Sequence, residues 1–140
     1  MEANQPRSLN IGSVAEATGL PAKTIRYYES IGLVAPARRT GGNYRLYEAR
    51  DVTTLRFIER ARRLGFSLKE VAELLTLWRD RHRASADVRR LAEAQIRRVD
   101  ARLLELKDMR RSLRHLLERC HGDDRPECPI LEELAAPRFG

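Results

Sequence analysis

Apolar side chains in the first third of the chain fall at helical spacing in two short bursts. The first, Ile11, Val14 and Ala15, follows Asn10, a good N-cap, and predicts a helix over Leu9–Thr18. Gly19-Leu20-Pro21 breaks it. Ile25, Tyr28 and Ile31 then resume the spacing over Ala22–Ile31, before Gly32 caps the helix and Pro36 ends regular structure. Two short helices joined by a Gly-containing turn make a helix-turn-helix pattern. Within Arg38–Tyr47, the turn signal Gly41-Gly42-Asn43 and the strand formers Tyr44, Leu46 and Tyr47 predict a small β wing. Val52, Leu55, Ile58 and Ala61 share one face of a third helix that starts at Glu48 or Asp51, runs to about Leu64 and is ended by Gly65. Ser67, with Glu70 three residues later, reads as a capping box opening a fourth helix to about Trp78.

From Ser85 the pattern lengthens. Ala92, Ile96, Val99, Leu103, Leu106, Leu113 and Leu117 alternate steps of three and four, with Arg110 as an interruption and neither Gly nor Pro before Cys120. A helix of about 34 residues spans roughly 50 Å, too long to bury such a stripe on the head that precedes it. It needs a partner, and a second copy in a parallel or antiparallel coiled coil is the economical one. Pro129–Leu134 predicts a short closing helix with Pro at its start. The fold class is therefore mainly α. Residues 1–8 read as a flexible N-terminus, 9–80 as a winged helix-turn-helix head, 84–119 as a dimerisation helix, 120–134 as a loop with a short helix, and 135–140 as a tail.

Charge sharpens the head. The net charge is +7, which points weakly to a polyanionic partner. Between Arg38 and Arg63 stand eight arginines against three acids, with Tyr44 and Tyr47 interleaved. Such an excess fits phosphate contacts better than a solvated face. In a helix-turn-helix the N-terminal part of the second helix meets base edges. Here that part offers Lys23, Thr24, Arg26 and Tyr27 on one side and Ile25 and Tyr28 to the core. Arg26 suits either a bidentate guanine contact or a phosphate.

Composition excludes other classes. No run approaches the roughly 20 apolar residues of a membrane span, and Met1–Ser8 is polar, so the expected location is cytoplasmic with no membrane partner. The two cysteines, Cys120 and Cys128, bracket a short loop directly after the long helix. In a reducing compartment such a pair binds a soft metal, forms a regulatory disulfide or stays free. Nucleophilic catalysis by Cys120 with His121 is set aside, because adjacent residues rarely orient a pair for proton transfer and no acid or oxyanion partner is evident.

The run Thr24-Ile25-Arg26-Tyr27-Tyr28-Glu29, then Gly32-Leu33, Asn43-Tyr44-Arg45-Leu46-Tyr47 and Leu64-Gly65-Phe66-Ser67-Leu68, resembles the MerR family of transcription regulators, in order, across about Ile11–Trp78. The resemblance implies a winged helix-turn-helix head on an antiparallel coiled-coil homodimer. Such a dimer binds a palindromic operator in an overlong promoter spacer and, with its effector, bends and untwists the DNA for RNA polymerase. Carried to matching positions, the DNA contacts are Lys23, Thr24, Arg26, Tyr27, Tyr44 and Arg45, with Arg62 in addition.

The effector follows from the cysteines. Twelve residues after Cys128 are too few for a drug pocket, an iron–sulfur centre needs four cysteines, and zinc wants about four ligands. Two thiolates alone suit the linear coordination of Cu(I), and equally Ag(I) or Au(I). With one monovalent ion they carry a net charge of −1, which helix N-termini nearby would balance. The loop Cys120–Ile130 and the segment Ser85–Val88 are similar to those of the copper-responsive, CueR/HmrR-like branch of the family. Ser85 stands where mercury- and zinc-sensing relatives place a cysteine donated to the partner subunit's site. His121 is expected to stay solvated, although ligation by it would admit Zn(II) or Cu(II), and a thiol-redox or zinc-responsive regulator of the same family is the alternative reading. Asp123 and Asp124 are expected to shape the loop turn.

Overall fold

The first turn of the head is set by Asn10. Its side-chain oxygen accepts from the Ser13 N–H at 2.8 Å, and helix α1 runs Ile11–Thr18. The computed structural model describes residues 9–39, 42 and 45–137. The expectations for residues 1–8, for Gly41 and Asn43 of the wing turn, for Tyr44 and for residues 138–140 therefore lie outside the described residues. Gly19 closes α1 in the left-handed conformation (φ 73°) and donates to Ala15. The Thr18 hydroxyl donates to the Val14 carbonyl at 2.8 Å and accepts from Leu20 N at 3.3 Å, which fastens the turn into α2, Ala22–Ser30.

Helix α2 ends one residue earlier than its apolar spacing suggests. Gly32, at φ 78°, lets its own N–H reach Glu29 and the Leu33 N–H reach Tyr28, so the last carbonyls are satisfied. Leu33 is thereby buried while Ile31 is left exposed. The wing follows: β1 (Arg38–Arg39) pairs antiparallel with β2 (Arg45–Leu46), placing Arg38 opposite Leu46 and Arg39 opposite Arg45. A bridge between Leu9 and Tyr47, with N–H···O distances of 2.8 and 2.7 Å, ties the segment before α1 to the end of the wing.

Helix α3, Ala49–Arg63, opens with the Glu48 N–H donating to the Asp51 carboxylate at 2.7 Å, so both residues considered for its start take part in its cap. Gly65 (φ 90°) ends it as Gly32 ends α2, and three arginines in the last turn suit its negative end. Helix α4, Leu68–Arg79, opens on the expected capping box: Ser67 Oγ accepts from Glu70 N at 3.2 Å and Glu70 accepts from Ser67 N at 2.9 Å. One core unites these pieces, with Val14, Ile25, Tyr47, Leu55, Ile58 and Val71 at its centre. Phe57 and Trp78 stack beside it, ring centroids 4.7 Å apart and planes 7° from parallel.

Helix α5 spans Ser85–Arg119 and α6 spans Pro129–Ala135. The chain packs as two units, one through Leu91 and one from Ala92 onward. The head unit therefore takes in the start of α5, where Asp87, Arg90 and Leu91 line a shallow groove with Glu73, Thr76 and Leu77 of α4. In the second unit Ile96, Val99, Leu103, Leu106, Leu113 and Leu117 are all exposed, as is Met109 beside the Arg110 interruption. An apolar stripe left open over so many turns is the surface of an assembly, as the sequence pattern requires.

Candidate DNA interface and metal loop

The packing of α2 separates its two faces. Ile25 and Tyr28 are buried, Lys23, Arg26 and Tyr27 are exposed, and Thr24 is half-buried. The helix can present its first turns outward because the fastened turn and Leu20 hold α1 behind it. The side chains expected to read DNA on this helix thus share a solvent-facing surface anchored on the core.

The remaining arginines divide by what already holds them. Arg38 and Arg39 are exposed on β1. Arg56 Nε donates to the Ala17 carbonyl at 3.2 Å, a cation on the negative end of α1. Arg62, expected as a further DNA contact, donates through Nη1 to the Phe66 carbonyl at 2.8 Å and so pins the turn between α3 and α4. Arg50 pairs with Glu48 at 2.8 Å on the surface. Arg45 of the wing lies with Nη1 3.4 Å from Glu29 Oε2 of α2. Tyr47 reaches the same place: its ring is fully buried, and burial first, then the neighbouring Glu29 carboxylate, push its phenol up to about 12. Sequence reasoning overlooked Glu29. It sits within the family-like run, yet an acidic residue on a DNA-facing helix carries no signal of its partner until the wing is folded against it.

In the second unit Cys120 follows directly on α5, its N–H donating to the Leu117 carbonyl at 3.1 Å. Cys128 is the N-cap of α6, with Pro129 as its first helical residue. Both cysteines are half-buried free thiols. Between them Gly122 turns at φ 65°, and Asp123 accepts from Arg125 N at 3.0 Å and from Arg125 Nε at 2.8 Å. That guanidinium holds the Asp123 carboxyl below its usual range. Asp123 is thus the loop-turn residue expected of it. His121 is exposed. Among the described residues no three His, Cys, Asp or Glu side chains gather where they could hold a metal ion. The two thiols of Cys120 and Cys128 are soft donors, whose chemistry fits a soft cation. Ser85, the first residue of α5, is exposed. No helix among the described residues is long and apolar enough to cross a membrane.

Comparison with known proteins bears on both surfaces. The family described as MerR HTH family regulatory protein matches residues 9–77, and that described as MerR, DNA binding matches residues 52–116. The HTH-type transcriptional regulator HmrR of Rhizobium leguminosarum bv. viciae is 56% identical over 128 residues, covering 91% of this chain and 98% of that protein. The HTH-type transcriptional regulator CueR of Escherichia coli is 41% identical over 127 residues, covering 91% and 94%. Among solved structures, the transcription regulator PbrR691 from Ralstonia metallidurans CH34 in complex with lead(II) superposes with a TM-score of 0.75 at 33% identity, covering 91% of this chain and 99% of that one. With the head, the wing and the long helix all in their places, the chain belongs to the MerR family of helix-turn-helix transcription regulators, in the company of its metal-responsive members.

Proposed function

We propose that this chain is a Cu(I)-responsive transcription activator, with Ag(I) and Au(I) as chemical equivalents of its effector. MerR-family regulators bind promoter DNA as dimers, and the open stripe of α5 supplies the surface for a second copy. Cys120 and Cys128 are the metal ligands in this reading. Two thiolates give a soft monovalent ion a complete, linear coordination shell. The observation that carries the proposal is the donor set: two half-buried free thiols flanking a loop pinned by Asp123 and Arg125. Ser85 stays near the loop of the partner subunit without ligating, and His121 stays in solvent.

On the DNA side, Lys23, Thr24, Arg26 and Tyr27 meet the operator from α2, with Tyr44 and Arg62 as flanking contacts assigned by resemblance. The metal-loaded dimer distorts a palindromic promoter so that RNA polymerase engages it, and the genes controlled serve copper resistance and efflux. The likeness to HmrR and CueR supports this effector class, while that to a lead(II)-bound regulator keeps a divalent ion as the competing reading.

In vitro transcription from the chain's own promoter tests the assignment. Cu(I) is expected to raise transcript yield with the unaltered protein, and Zn(II) or Pb(II) to leave it at the basal level. Cys120→Ser and Cys128→Ser should each abolish the Cu(I) response while promoter binding persists. Activation by Zn(II) or by an oxidant alone, or a Cu(I) response surviving in either variant, would sink the bis-thiolate reading.

A further inference from the structure

Glu29 is an acid on the helix that faces DNA, which would by itself repel phosphate. Its side chain is only 10% exposed, and Oε2 lies 3.4 Å from Nη1 of Arg45, itself 29% exposed. Glu29 Oε1, Arg45 Nη1 and Tyr47 Oη are all buried, and the Tyr47 phenol feels both the carboxylate and the guanidinium. The cluster joins α2 to strand β2 of the wing, where the described residues pair Arg38 with Leu46 and Arg39 with Arg45. Pairing within the wing fixes its two strands to each other and leaves their angle to α2 to be set by other links. A carboxylate enclosed in this way needs its cation, because removing one partner of a buried pair leaves an uncompensated charge.

We infer that Glu29 is a positioning residue that locks the wing onto the recognition helix through Arg45, so that Arg45 serves operator binding as an internal tie and not as a phosphate contact. The positive charge of Arg45 is spent on Glu29, inside the protein. A phosphate contact of the wing then falls to the exposed Arg38. This inference rests on α2 and the wing forming the DNA face, and the two assignments for Arg45 differ in sign. With a tie, neutralising Glu29 loosens the wing and weakens operator binding even though the protein becomes more positive. With a phosphate contact, neutralising Glu29 frees a cation, tightens binding and steepens its salt dependence.

The experiment uses the dimer of this chain and a duplex selected by it from a random pool, with affinity measured by anisotropy across a salt series. Glu29→Gln and Arg45→Gln are each expected to weaken binding about tenfold, with the double variant no worse than the poorer single, as for two residues acting as one unit. Salt slopes should stay unchanged. Arg45→Gln decides the question should Glu29→Gln fail to fold, because an unchanged slope marks a tie and a lowered slope a phosphate contact. The inference is overturned if Glu29→Gln binds as well as or better than the unaltered protein. It is equally overturned if the losses add, or if Arg45→Gln lowers the slope by about 0.9 per wing, the signature of a lost phosphate contact. Arg26→Ala separates the two levels: if it leaves binding unchanged, the DNA face itself is misplaced and the tie falls with it.

Discussion

Leu103→Ala should weaken the dimer and leave the monomer's fold intact. Leu103 stands in the middle of the α5 stripe and is 49% exposed on the single chain. Complete burial of a leucine contributes about 1.5–3 kcal/mol, so covering the open half contributes roughly half of that. The substitution occurs in both copies of a homodimer, which returns the loss to about 1.5–3 kcal/mol per dimer, or roughly a ten- to hundredfold rise in the dissociation constant. Alanine is at least as good a helix former as leucine, so helix content at equal monomer concentration should be preserved. Sedimentation equilibrium over a dilution series, without DNA, measures the constant. Leu104→Ala is the internal control: Leu104 is more exposed, at 64%, but lies about 100° around the helix from the stripe. If Leu103→Ala leaves the constant unchanged, or Leu104→Ala shifts it as much, the stripe is not the dimer seam.

Three further outcomes follow from local features of the head. Ser67→Ala removes the acceptor of the Glu70 N–H and should cost about 0.5–2 kcal/mol, read as a lower urea midpoint with an unchanged m-value. Gly32→Ala meets no atom within 4 Å but forces a side chain into φ 78°, so a loss of about 1–2 kcal/mol is expected from backbone conformation alone. The phenol of Tyr47 is pushed from 10.0 up to about 12, so the folded state holds this proton more tightly than the unfolded chain. Its contribution is whole below pH 10 and is lost as pH climbs to about 12, amounting to about 2–3 kcal/mol. Urea titrations through that window should show a steeper alkaline loss for the unaltered protein than for Tyr47→Phe, and equal slopes would refute the assignment.

What could be read from the sequence was what local rules govern. Asn10, the Ser67–Glu70 pair and the glycines after α1 and α3 act within three or four residues of where they stand, and each does in the fold what its spacing announces. Ile31 shows the limit of periodicity. It fits the apolar face of α2, but the Gly32 turn buries Leu33 in its stead. The contacts that escaped are tertiary. Arg56 reaches Ala17 across 39 residues, and Glu29 finds Arg45 only once the wing folds back. Phe57 and Trp78 meet only when α3 and α4 pack. An arginine on a basic segment looks the same in sequence whether it caps a helix, ties a wing or faces solvent. The boundaries that flank the cysteines, by contrast, were legible, because the end of α5 and the Pro129 start of α6 are themselves locally coded.

On the proposed reading, the loop between α5 and α6 binds one soft monovalent ion through two sulfurs. An anaerobic titration of the reduced dimer with Cu(I), in the presence of excess Zn(II) and followed by thiolate-to-copper absorption, tests it most directly. The expected endpoint is one copper per chain, undiminished by zinc and absent from both Cys→Ser variants. No copper uptake, or an endpoint that zinc erodes, would contradict it.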